Sequence, residues 1–245
     1  MSSHGSLFLL GECPMHGSNT LPTLPNSSWK IYTEYVSAGA QHGRDLVAER
    51  AVWDVRITQK AIVLGSRQDE SLLNTELCIR DGIEMVRRRS GGGIVFLAPG
   101  EHVWLDVVVP RGDVLWSDDV AQASWWLGEV WVKTLNALGE SDVSVHHESL
   151  SSDAWGDLLC FAGVGPGEVV QRGEESLSKL VGISQRRTRA YARFQCTIYT
   201  TWNPHDVELY VVNTPGNVSE LAHRVTAVQA SQQVMVNTFV SHLPR

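Results

Sequence analysis

The sequence predicts an α+β fold: a mixed, largely antiparallel sheet with flanking helices in a single domain over residues 29–245. Three observations carry this. Short alternating or apolar runs, the mark of strands, crowd the middle of the chain. Helical spacing brackets them rather than alternating with them. No linker rich in Pro, Gly or Ser interrupts residues 29–245.

The elements follow in order. Residues 1–28, rich in Ser, Gly, Pro, Asn and Thr, read as an irregular leader. Trp29 to Val36 alternates apolar and polar side chains and reads as a strand. Leu46, Ala48, Val52 and Val55 recur at helical spacing, which predicts a helix over 44–57. Ala61 to Leu64 is a short buried strand ending at Gly65. Asn74 caps a helix over Glu76 to Arg80, with Gly82 past its end. Ile83 to Val86 is a strand. Ile94 to Leu97 and His102 to Val109 predict a hairpin turning at Pro99-Gly100. A long helix starts at Ser117, gains from Asp118 and Asp119 at its positive end, and stops at Gly139. Its Trp125, Trp126 and Trp131 are expected to pack on the sheet. Ser144 to Ser149 is a weak strand. Glu168 to Gln171 and Ser178 to Ser184 predict a second hairpin, and Phe194 to Thr201 another strand. A short helix over Asp206 to Val212 and a mostly helical tail over Ser219 to Leu243 complete the chain.

Composition narrows the function. Hydrophobic residues at 43% and charged residues at 19% support a substantial core. The net charge of −7 speaks against a nucleic-acid partner. No apolar window is long enough for a membrane span, and Leu7 to Leu10 is too short for a secretion signal. The four cysteines, at 13, 78, 160 and 196, form no disulfide framework and suit a reducing, cytoplasmic setting. Cys13-Pro14-Met15-His16 has a Cys-x-x-His spacing without a matching second half, so no metal site is expected.

Two segments carry the chemistry. Arg87-Arg88-Arg89-Ser90-Gly91-Gly92-Gly93 places arginines beside three glycines. Without Cβ atoms, such a loop admits a ligand to its backbone amides, which can act as an anion nest. It lies between strands and lacks the Gly-Lys-Ser/Thr ending and the following helix of a nucleotide-triphosphate loop. The second segment is Lys179-Leu180-Val181-Gly182-Ile183-Ser184-Gln185-Arg186-Arg187, with one ammonium and two planar guanidinium forks. Between them stands Cys160. A free cysteine is often a small core hydrophobe, but beside a cation it can serve as a nucleophile. Cys196, mid-strand between apolar residues, reads as core.

Arg88-Arg89-Ser90-Gly91-Gly92-Gly93-Ile94-Val95 resembles the Arg-Arg-x-Ser/Thr-Gly-Gly-Gly-x-Val segment of the lipoate–protein ligase and octanoyltransferase family. Lys179 to Arg187 is similar to that family's Lys-Ile-x-Gly-Ser-Ala-Gln-Arg segment. The likeness spans roughly residues 30–215. It implies the biotin/lipoate ligase-like fold and attachment of a lipoyl or octanoyl group to a lysine of a lipoyl carrier domain. By the same resemblance Arg88, Ser90, Gly91, Gly92 and Gly93 line the acyl or adenylate site, Lys179 binds the carboxyl or carbonyl oxygen, and Gly182 and Ser184 lie alongside. Cys160-Phe161 resembles the segment that bears the nucleophile in one branch of octanoyltransferases.

Two departures stand out. Where the family has His-Asp shortly after the glycine loop this chain reads Phe96-Leu97-Ala98-Pro99, and Phe194-Gln195-Cys196-Thr197 stands in the region of its His-Gly strand. Three readings follow. An octanoyltransferase would take its acyl group from an octanoyl carrier protein, form acyl-Cys160 and need no cofactor. A ligase would activate free lipoate with ATP and magnesium, without Cys160. A non-catalytic acyl-binding protein would keep the pocket alone. A biotin–protein ligase is a weaker alternative, because its glycine loop is usually richer in Arg.

Overall fold

Two β-sheets meet across an apolar cluster, and the wider one carries a pair of helices on its far side. The computed structural model describes residues 29–173 and 177–245. The expected leader, Cys13 and His16 lie outside the described residues.

The wider sheet has seven strands. β1 (Lys30–Val36) pairs parallel with β2 (Ala51–Ile57). All its other neighbours are antiparallel: β6 (His102–Pro110), β10 (Tyr191–Tyr199), β9 (Leu177–Arg187), β8 (Val169–Arg172) and β7 (Val143–Val145), in that order from β2. The smaller sheet orders β4 (Glu84–Arg87), β3 (Ala61–Leu64) and β5 (Val95–Leu97), with β3 and β4 parallel. The mixed, mainly antiparallel α+β architecture is therefore as expected.

Strand alternation explains the layers. On β6, Val103, Leu105, Val107 and Val109 face α3 (Trp125–Ala137) and α6 (Gln232–Ser241). Leu127, Val130, Trp131 and Leu135 of α3 interlock there with Met235, Val236 and Phe239 of α6, and the Trp131 and Phe239 rings lie 4.5 Å apart. Each such fully buried side chain contributes about 1.5–3 kcal/mol of transfer free energy. The opposite face presents Trp104 to Val63, Val95 and Leu97 of the smaller sheet. α1 (Ala38–Gly43) closes one flank, with Ala38 buried in that same cluster. α4 (Ala154–Leu158) and a 3-10 turn over Cys160–Ala162 close the other.

Several expectations change. Residues 51–57 form β2, not a helix. The strand lies between β1 and β6 with Ala51, Val52, Asp54, Val55 and Ile57 buried, so its apolar spacing reflects cover on both faces. Val95–Leu97 and His102–Pro110 do not pair as a hairpin, because the turn at Pro99-Gly100 carries the chain from one sheet to the other. The long helix begins at Trp125. Upstream, the Asp119 carboxylate accepts from the Ala121 N–H at 2.8 Å, and this local turn competes with helix. Trp131 packs in the core as expected, while Trp125 sits edge-on to the His147 ring. The strand expected over 144–149 ends at Val145. α2 (Thr75–Arg80), α5 (His205–Tyr210) and the β8–β9 hairpin appear as expected. The tail holds a 3-10 segment, Val218–His223, and then α6 after an irregular stretch. No helix of the described residues is long and apolar enough to cross a membrane.

Candidate active site

The glycine loop is held from within. Arg88 is 3% exposed, and its guanidinium donates to the carbonyls of Gly91 (2.9 Å) and Gly93 (2.7 Å). Its fork thus shapes the loop, although its side chain also borders the site. Gly92 has φ +94°, and a Cβ there would come within 2.8 Å of the Arg88 Nη2. A Cβ on Gly93 would meet the backbone of Leu158, Leu159 and Cys160 within 2.7 Å. Here glycine is required for close approach: the Ile94 N–H donates to the Leu158 carbonyl at 2.8 Å, and the Cys160 N–H donates to the Ile94 carbonyl at 2.9 Å. Among the described residues nothing accepts the N–H groups of Gly91, Gly92 or Gly93.

Lys179 reaches the same place from β9. Its ammonium is 2% exposed, donates to the Cys160 carbonyl at 2.6 Å and pairs with Glu168 at 2.7 Å. Glu168 also accepts from the N–H of Gly165 (2.7 Å) and of Ile183 (3.1 Å). Lys179 and Gly182 are three residues apart and would face opposite ways on a regular strand. An irregularity in the β8–β9 register restores them to one side: Val169 pairs with Val181 while Val170 pairs with Lys179. Leu180 and Val181 both enter the helix-side core, and Lys179 and Gly182 both serve the site. Ser90 and Ser184 join the two motifs through a 3.3 Å hydroxyl bond.

Cys160 stands where two spaces meet. One is a narrow slot between the sheets, lined by Val63, Val95, Leu97, Trp104 and Phe161 together with Arg88, Gly182 and Ser184. The other is an open cleft, lined by Ser90, Gly91, Gly92, Gly93, Glu168, Lys179 and Ser184 among others. Cys160 and Ser184 border both. A Cβ on Gly92 would lie 3.7 Å from the Cys160 Sγ. The junction sets a thiol between an apolar slot and an open cleft, beside amide and ammonium donors.

The structure thus brings Lys179, Cys160, Arg88, Ser90, Gly91, Gly92, Gly93, Gly182 and Ser184 around one junction. The remaining arginines go elsewhere. Arg89 and Arg186 approach Asp45 at 3.7 and 3.5 Å, and Arg187 lies over the Trp116 ring. Arg193 is buried against Asp106 at 2.5 Å. Cys196 is buried in the core, where burial pushes its thiol up to about 12. His146 and His147 follow β7 and take no part in the slot.

Sequence reasoning missed Glu168, Gln195 and His42. Leu97 and Gln195, from the two stretches that depart from the family's histidine elements, both line the slot. His42 enters it from α1 instead, its ring centroid 4.7 Å from that of Trp104. Burial, opposed by the Asp106 carboxylate, pushes His42 down to about 4. For Glu168, the sequence signal is its place directly after the Gly163-x-Gly165-Pro166-Gly167 run between Cys160 and Lys179.

No group of three or more His, Cys, Asp or Glu gathers among the described residues in a way that would hold a metal ion. Magnesium serving a nucleotide is usually held largely by phosphate oxygens and water.

The chain superposes on the bipartite lipoate protein ligase of Thermoplasma acidophilum, described with its E2 lipoyl domain. The TM-score is 0.64 at 14% identity, covering 86% of this chain and 80% of that one. A T. acidophilum protein with bound lipoic acid gives a TM-score of 0.57 at 17% identity, covering 79% and 71%. Lipoate-protein ligase A bound with ATP gives 0.57 at 17%, covering 82% and 72%. These likenesses show the fold. None of the curated proteins matches the sequence. Residues 40–243 match the model of the lipoyl protein ligase A/B catalytic domain, so the chain belongs to that family of acyl-attaching ligases and acyltransferases.

Proposed function

We propose that the protein transfers a lipoyl or octanoyl group to a lysine of a lipoyl carrier domain, through an acyl thioester on Cys160. One observation carries this reading: Cys160 lines both the apolar slot and the open cleft. The chain of the acyl group occupies the slot, its carbonyl sits at Cys160, and donor and acceptor approach in turn through the cleft.

In the first step the Cys160 thiolate attacks the carbonyl carbon of a donor thioester, such as an octanoyl carrier protein. The new C–S bond replaces the old one, and the donor leaves as a thiolate that takes up a proton. In the second, the neutral amine of the acceptor lysine attacks acyl-Cys160. An amide forms, Cys160 leaves as thiolate, and the amine's proton passes to solvent. The oxyanion in each step is stabilised by the uncommitted N–H groups of Gly91 and Gly92 and by the third hydrogen of the Lys179 ammonium. A reducing, cytoplasmic setting would keep Cys160 the free thiol it is here.

The open cleft favours one second reading. It lies beside the glycine amides, which suits a nucleotide phosphate, and a relative of this fold is bound with ATP. On that reading free lipoate is activated with ATP and magnesium, and Cys160 is only a wall. Intact-mass spectrometry separates the two. An octanoyl thioester should add one octanoyl mass to the wild type and none to Cys160→Ala, and the loaded protein should pass that mass to a lipoyl domain. Lipoate plus ATP modifying the lipoyl domain equally well with Cys160→Ala would establish the ligase instead. Binding of the acyl group with no transfer in either arm would leave a non-catalytic acyl-binding protein.

A further inference from the structure

The acyl slot ends at a side chain that neither motif contains. Its floor crosses three paired strands: Gly182 and Ser184 of β9, then Thr197 and Gln195 of β10, then Trp104 of β6. Two inter-strand steps make roughly 10 Å from the Cys160 end to Trp104. There the floor meets His42, which packs on the Trp104 ring and whose Nδ1 lies 3.4 Å from the Gln195 Nε2.

This imidazole is fixed from behind. The adjacent Gln41 donates from Nε2 to the Asp106 carboxylate at 2.6 Å, and its carbonyl accepts from Arg193 at 2.9 Å. Asp106 and Arg193 are themselves a buried ion pair, and Asp106 also accepts from the Trp104 indole at 3.0 Å. His42 and Trp104 are therefore both tied to Asp106, one through the backbone of α1 and the other through its ring nitrogen. Shifting the α1 backbone that carries His42 would disrupt these buried polar bonds, a costly change in a low-dielectric setting. Its depressed pKa, about 4, keeps the ring neutral and compatible with an alkyl terminus.

We propose that His42 is a specificity-determining residue: it forms the end wall of the acyl slot and sets the upper length of the acyl chain that the protein accepts. The proposal rests on the acyl-transfer reading above for its substrate class, and its test separates the two. Full-length wild type, His42→Ala and His42→Phe are checked for folding by thermal melting. Calorimetry then measures binding of hexanoate, octanoate, decanoate and dodecanoate. Mass spectrometry follows loading from the corresponding thioesters.

The alanine variant should raise the dodecanoate-to-octanoate affinity ratio ~10-fold, and the phenylalanine variant should shift preference toward hexanoate. A merely structural role would weaken all chains alike. A chain-length profile unchanged in both variants overturns the proposal, as does the absence of binding of every chain to the wild type. If the alanine variant does not fold, His42→Phe and His42→Asn decide on the same ratio. A shifted binding profile without loading of Cys160 would sustain the role of His42 and overturn the covalent transfer.

Discussion

The Lys179 ammonium donates to the backbone carbonyl of Cys160 at 2.6 Å, tying the Cys160 segment to a charge buried on β9. The contact is to the main chain, so it survives replacement of the Cys160 side chain. Its geometry depends on Glu168, which holds the same ammonium at 2.7 Å.

Breaking that pair should be costly. Lys179→Met leaves the buried Glu168 carboxylate without its cation and should destabilise the fold by about 3–5 kcal/mol. Adding Glu168→Gln removes the stranded charge and should recover part of the loss. Acyl transfer should remain absent in the double variant. Urea denaturation and a loading assay on the same preparations check both statements.

The three loop glycines should not respond alike. Gly91→Ala places its methyl in open space and should change stability by no more than about 0.5 kcal/mol. Gly93→Ala drives a methyl into the backbone of Leu159 and Cys160 and should cost about 1–3 kcal/mol. It should also displace Cys160 and cut loading more than it cuts stability. Equal melting temperatures for the two variants would contradict this account.

Among the cysteines of the described residues, Cys160 is partly exposed, while Cys78 and Cys196 are buried. Iodoacetamide applied to the native protein should label the Cys160 peptide and leave Cys78 and Cys196 untouched until denaturant is added. An octanoyl substrate bound beforehand should protect Cys160. Peptide mapping after a timed quench reads this directly.

Stability should fall with acid before the carboxylates titrate. Burial pushes both His42 and His102 from 6.5 to about 4. Between those values the unfolded chain binds more protons than the folded one, so unfolding free energy rises with pH across the window. The histidine contribution is complete above about pH 6.5 and lost as pH falls toward 4. For His102, which is 2% exposed, the difference is worth about 3 kcal/mol. Asp54, whose carboxyl burial pushes upward, opposes the trend. His102→Gln should flatten the curve between pH 4 and 6.5, as read by denaturation at fixed temperature.

The sequence alone made the family legible because its two motifs are contiguous. Ser90-Gly91-Gly92-Gly93 and Lys179-x-x-Gly182 each lie on one short segment, and glycine and lysine at those places reflect needs that are local to the backbone. Most strands were legible for the same reason. β2 was not, because a strand covered on both sides loses its alternation and passes for a helix. The Pro99-Gly100 turn was visible, but not that its two strands pair with different partners.

What the sequence by itself determined is the family, the mixed α+β class and the chemical cast of Cys160, Lys179 and the glycine loop. Tertiary structure alone decided how they face. The β8–β9 irregularity turns Lys179 and Gly182 to one side, a consequence of strand pairing that residue spacing does not encode. The pair Leu180-Val181, two apolar residues in succession, was its only trace in the chain. Glu168 became the counter-ion of Lys179 through the antiparallel fold of β8 onto β9. His42 reached the slot because α1 is bolted to a buried ion pair between β6 and β10. Such placements arise from contacts between segments far apart in sequence, so no local pattern could announce them.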